Sequence, residues 1–146
     1  MMHYEFYISE QDLTLLHQHA EDNLPSESAA LLFGTITNNI VKVKRAELVE
    51  NDSKNKLTSF SINPEVEYQL LIEAEELGET LVGIYHSHPA PAEPSKTDLR
   101  NMQLNPVIWL ISSKLTGEWI SKAYVLDGPT VSEVLIKYVG STVSDP

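Results

Sequence analysis

Two histidines separated by one residue stand in the segment Gly83-Ile84-Tyr85-His86-Ser87-His88-Pro89, and an aspartate follows in Pro94-Ser95-Lys96-Thr97-Asp98. Alternate residues of a strand share a face, so His86 and His88 point the same way. Two imidazoles and one carboxylate, with a fourth position left to water, make a catalytic zinc pattern. Zinc lowers the pKa of such a water to about 7 and polarises a carbonyl. A hydrolase of this kind also needs an acid/base group that is not a ligand. Glu27, just ahead of the apolar run Ala29 to Phe33, is the candidate. Plainer readings stand beside each of these. A His-x-His pair at a strand end is often polar surface. Ser95-Lys96-Thr97-Asp98 is also a capping box with Asp in place of Glu. Taken alone, Glu27 reads better as a solvated loop carboxylate. The metal and capping readings are compatible, because a capping Asp keeps one oxygen free.

The elements that must position these residues are legible. Thr80 to His88 reads as a strand whose histidines sit where it leaves the core, with Val82 and Ile84 preceding them on the same face. The prolines at 89, 91 and 94 stiffen the loop that returns Asp98 in the first turn of a helix over Ser95 to Gln103. Upstream, Tyr4 to Ile8 reads as a strand. A helix capped by Ser9, with the stripe Leu13, Leu16 and Ala20, ends before Pro25. The strand Ala29 to Phe33 stops at Gly34, and Ile40 to Val49 is the next strand. A polar loop follows over Glu50 to Thr58, then a short strand over Phe60 to Ile62. Asn63 and Pro64 open a helix that closes at Gly78. Val107 to Ser112, Trp119 to Leu126 and Val131 to Tyr138 complete the strands. This order predicts an α/β chain (α+β in a stricter scheme): a single mixed, curled β-sheet with a few packed helices. The expectation is one domain over residues 1–139 and a flexible tail over 140–146.

Composition narrows the chemistry. The chain has 146 residues, 42% of them hydrophobic and 21% charged, which suits one globular domain. It has no cysteine, so a thiol nucleophile, a disulfide framework and a thiolate metal site are excluded. Zinc would have to be held by histidine and carboxylate. The net charge of −11 disfavours nucleic acid, whose binding rests on phosphate neutralisation; it would favour a basic partner or tail, and its plainer reading is solubility alone. No apolar run is long enough to span a membrane, and the N-terminus lacks the pattern of a signal peptide, so a cytoplasmic location is expected. His17 and His19 lie apart on the first helix and read as surface residues, and His3 as uninvolved.

Together, Glu27 with Leu31-Leu32-Phe33-Gly34, then His86-Ser87-His88-Pro89, Pro94-Ser95 and Asp98 resemble the JAMM metalloproteases. These are the MPN-plus class of zinc deubiquitinases and their prokaryotic relatives. The resemblance covers about Glu27 to Asp98. It implies the MPN/JAMM (cytidine deaminase-like) fold and one Zn2+ per chain held by His86, His88 and Asp98. It further implies that Glu27 takes a proton from the attacking water and delivers it to the leaving amine. Ser95 would hydrogen-bond the oxyanion. The implied substrate is the C-terminal Gly-Gly tail of ubiquitin, or of a ubiquitin-like or sulfur-carrier protein, in a conjugate or precursor. Two features depart from the common family pattern. The loop from Pro89 to Pro94 is one residue short, and Ala30 stands where glycine is frequent. A rival reading is an MPN scaffold or binding module with little activity. A deaminase-like hydrolase is disfavoured, because its zinc usually takes cysteine ligands. A site at a strand end, near sheet edges, would suit an extended peptide docking by strand addition.

Overall fold

The computed structural model describes residues 3–140. The tail read over 140–146 therefore lies, apart from Gly140, outside the described residues. In chain order the elements are β1 (Glu5–Ser9), α1 (Glu10–Asn23), β2 (Ala29–Thr37), β3 (Ile40–Val49), α2 (Pro64–Glu76), β4 (Thr80–His88), α3 (Lys96–Leu104), β5 (Ile108–Ser113), β6 (Ile120–Asp127) and β7 (Thr130–Val139). Local chemistry accounts for several boundaries. Ser9 accepts the Asp12 amide and caps α1, and Asn63 caps α2 with Pro64 in its first turn. Gly78 follows α2 at φ 74°, a left-handed conformation open to glycine. Asn38 and Asn39, at φ 52° and 66°, turn β2 into β3 in two residues. Both central residues are left-handed, as the tightest hairpins require, and Asn tolerates this.

The expected curled sheet is instead a closed seven-stranded barrel, ordered β1-β3-β2-β4-β5-β6-β7. Closure comes from β1, which runs parallel to both β7 and β3. A pairing between the two ends of the sequence leaves no local signal, so it is invisible to a reading of periodicity. The strand expected to stop at Gly34 continues to Thr37. Gly34 marks an irregularity in the pairing with β3, where a Cβ would lie 1.8 Å from the Lys42 carbonyl oxygen. Phe60 to Ile62, expected as a strand, is irregular backbone.

The core falls into two clusters, one on each face of the strands. One gathers Phe6, Ile8, Leu32, Val82, Tyr85 and Leu110 with Leu16 of α1. The other gathers Leu31, Phe33, Ile84, Trp109 and Ile111 with Ala74 of α2 and Met102 of α3. Val82 and Ile84 were expected on one face, yet they belong to different clusters. The β2–β4 register explains this: Leu32 pairs with Gly83 but Phe33 with Leu81, so β4 carries an extra residue at Val82. Of these two, only Ile84 shares the face that holds His86. β4 is paired on both sides, to β2 and to β5. At His86 the strand is paired on both sides, with Ala29 and with Ile111, so an added strand would need another sheet edge. No helix among the described residues is long and apolar enough to cross a membrane.

Candidate metal centre

His86, His88 and Asp98 converge, each offering one ligand atom, and these atoms lie within 4.8 Å of one another. His86 comes from the buried interior of β4 and is fully inaccessible, while His88 sits at the strand end. His86 Nε2 lies 3.2 Å from Asp98 Oδ2, and His88 Nε2 lies 3.9 Å from the same oxygen. Two ligands about 2.0–2.1 Å from a tetrahedral ion are about 3.3 Å apart, so the closer pair has the spacing of co-ligands. Both ring nitrogens of His86 are buried without a hydrogen-bond partner. A buried imidazole normally finds a partner, and a cation bound at Nε2 would satisfy that atom. His88 Nδ1 lies 3.2 Å from the Pro91 carbonyl oxygen. A carbonyl only accepts, so Nδ1 carries the proton and the Nε2 lone pair is left facing Asp98. The donor set of two nitrogens and one carboxylate oxygen, with no thiolate, fits zinc.

Asp98 reaches the site through its helix cap. The Ser95 amide donates to Asp98 Oδ2 at 2.9 Å, and the Asp98 amide donates to Ser95 Oγ at 3.0 Å. The capping box and the metal-ligand geometry were expected to divide the two carboxylate oxygens. They instead share Oδ2, which faces both imidazoles. Burial pushes the Asp98 carboxyl up, but the His86 imidazole and the Ser95 hydrogen bonds outweigh it and hold the group below its ordinary range. Ser95 Oγ is an acceptor in the cap, so its hydroxyl hydrogen is left to be donated elsewhere.

Glu27 is not a solvated loop carboxylate: it is only 2% exposed. Its Oε1 lies 4.0 Å from His86 Nε2, and its Oε2 is buried without a partner. Burial, and then the Asp98 carboxylate, push its pKa up to about 8. A bound cation would pull it back down. The structure thus brings Glu27, His86, His88, Ser95 and Asp98 to one end of β4.

Other residues of this region carry no mark in the sequence. Ser87 alternates away from the histidines, and its Oγ accepts the Ser28 amide at 2.8 Å and the Ser28 hydroxyl at 3.0 Å. That fixes the residue next to Glu27 against β4. Phe60 stacks on His86, with centroids 4.7 Å apart, and Trp109 meets the same ring edge-on. His17 and His19 are not free surface residues. Both are half-buried; His17 Nε2 meets Ser121 Oγ at 2.7 Å, and His19 Nε2 meets the carbonyls of Ala29 and Val49. They tie α1 to the barrel, and neither belongs to the metal cluster.

A mixed α/β barrel with two imidazoles and a carboxylate at the end of one strand, and a second buried carboxyl beside them, defines a class of candidate metal-site domains. The chain belongs to the family of prokaryotic homologs of the JAB domain, whose model it matches over residues 9–125. It is 39% identical over 112 residues to a desampylase from Pyrococcus furiosus, an alignment covering 75% of this chain and 74% of that protein. The fold superposes on the solution structure of a protein from Desulfitobacterium hafniense with TM-score 0.83, at 25% identity over 93% of this chain and 94% of that one. A protein from Salinibacter ruber shares the fold at TM-score 0.67 and 22% identity, over 97% of this chain and 94% of that one.

Proposed function

We propose that this chain is a zinc-dependent isopeptidase or peptidase that cleaves after the C-terminal Gly-Gly of a ubiquitin-like or sulfur-carrier protein. The observation that carries the reading is Glu27: a buried carboxyl beside the ligand cluster and outside it, where an acid/base group is needed. The family and the similarity to a desampylase support the same reading. His86, His88 and Asp98 would hold one zinc, which when bound would supply Lewis acidity toward a water and the scissile carbonyl. Glu27 would accept the proton of the attacking water. As the C–N bond breaks, it would return that proton to the amine, so that acid and amine leave as separate products. Ser95 would donate its free hydroxyl hydrogen to the oxyanion.

Ser95 has two jobs with different signatures. Loss of a cap alone costs about 1 kcal/mol of stability and little rate. Loss of an oxyanion donor typically lowers kcat by ~10²–10³. We expect Ser95→Ala to keep its zinc, lose a little stability and lose kcat far beyond what the cap explains. Unchanged kcat with a lowered Tm would refute the oxyanion role.

Substrate choice is tested with a matched pair of fusions to a ubiquitin-like β-grasp protein, one ending Gly-Gly and one Gly-Leu before the scissile bond. Two glycines would pass a narrow channel where any side chain would clash. The net charge of −11 favours a basic tail, with steering that weakens as salt rises. Cleavage of the first fusion and strong inhibition of the second are expected. Equal cleavage would mean a general peptidase, and cleavage of neither by zinc-loaded protein would favour a scaffold role.

A further inference from the structure

The loop between β3 and α2 reads in sequence as a featureless polar stretch, yet it contains a buried asparagine. Asn51 is 6% exposed, and its amide is saturated. Its Nδ2 donates to the Glu27 carbonyl at 2.8 Å and to the Ser59 carbonyl at 3.0 Å. Its Oδ1 accepts the Ser53 amide at 3.0 Å and the Ser61 amide at 3.1 Å. All four valences of the side chain are spent on backbone groups, and none on solvent. Two further backbone bonds reinforce the arrangement, from Glu27 to the Lys56 carbonyl and from Asp52 to the Ser61 carbonyl. Between the two residues that Asn51 grips, Ser59 and Ser61, stands Phe60, whose ring lies on His86.

We propose that Asn51 is a positioning residue of the metal site, setting at once the backbone of Glu27 and the seat of Phe60 over the ligand His86. The proposal rests on the peptidase reading above. The Asn51 side chain spends its hydrogen bonds on backbone groups and on none of the candidate ligands, so it acts through Glu27 and through the His86 ring. Isolated loops of this polarity sample many conformations. One amide that pairs with residues 27, 53, 59 and 61 replaces that freedom with a single arrangement. The catalytic cost of losing it should be geometric, since displacing a reacting group by an ångström can cost about 10²-fold.

The test uses Asn51→Asp, which keeps the shape and the acceptor but replaces both amide donors, alongside Asn51→Ser, which is small enough to admit a water. Either variant that folds is read, in the full chain loaded with zinc, on the Gly-Gly fusion. Zinc content should stay at the wild-type level. We expect kcat to fall roughly 10- to 100-fold with KM within about twofold. Combined with Glu27→Gln, the change should cost less than the product of the two single losses, because part of its effect runs through the same group. Combined with Ser95→Ala, the losses should multiply. In the zinc-free protein the ring-proton resonances of His86 should move, because the stacked Phe60 ring shifts. Unchanged kcat, a change in KM alone, or multiplication with Glu27→Gln would overturn the proposal. If the wild-type protein cleaves nothing, the peptidase reading falls. The His86 resonances then decide for the positioning role if they move and against it if they do not.

Discussion

Replacing His88 with alanine is expected to leave a folded chain that holds no zinc at working concentrations and cleaves nothing measurable. His88 lies at the end of β4 with its ring 10% exposed. Its loss removes one hydrogen bond, to the Pro91 carbonyl, and little core packing. A change of about 1 kcal/mol in stability is expected from that bond. The metal, by contrast, is left with one imidazole and one carboxylate, too few for a closed set of protein ligands. Elemental analysis of protein purified without added metal should read one zinc per wild-type chain and none in the variant. His86→Ala should lose zinc as well, with a larger loss of stability, because His86 is fully buried between Phe60 and Trp109. Full occupancy in both variants would remove these residues from the site.

Glu27→Gln separates the acid/base role from the ligand role. The amide keeps the shape of the side chain but cannot take a proton from water, so turnover should fall by roughly 10² or more with zinc retained. Loss of zinc would make Glu27 a ligand, and near-native turnover would place the base elsewhere. The same variant has a second signature, in zinc-free protein. Glu27 there holds its proton up to about pH 8, whereas the unfolded chain releases it near the ordinary value of 4.5. Between those values the folded state binds more protons than the unfolded state, so wild-type stability falls as pH rises through that window. Glutamine has no proton to lose. The variant should therefore gain on the wild type from pH 5 to pH 8, by on the order of a few kcal/mol. Parallel Tm curves across that range would show that folding does not raise the Glu27 pKa.

The parts of this fold legible in the sequence were those with a local cause. Asn63 and Pro64, Ser9, and Ser95 with Asp98 carry their own capping chemistry, and α2, α1 and α3 begin where they dictate. β4 runs from Thr80 to His88 because alternation and the flanking Gly78 and Pro89 leave little choice. Features with a distant cause were hidden. The extra residue at Val82 is a matter of register against β2, so strict alternation misassigned one face. Asn51 looked like any loop asparagine, because its four partners are backbone groups that no side-chain pattern announces. Glu27 was a candidate only through the company it keeps, since nothing in its local sequence marks a carboxyl that is only 2% exposed.

The parallel pairing of β1 with β7 also shapes how this molecule can be made. Glu5 pairs with Leu135 and Ser9 with Val139, so nearly the whole chain separates the partners. Contacts this remote in sequence slow folding, because the chain must close a long loop before they form. On the ribosome, β1 leaves the exit tunnel first and its principal partner last. Until β7 emerges, β1 has only the short pairing of Glu5 to Tyr7 with β3, and its other edge stays open to stray strands. The histidine strand, the loop and α3 are all synthesised in that interval. Barrel closure thus waits on the last of its strands, and His86, His88 and Asp98 can come together before the barrel around them is sealed.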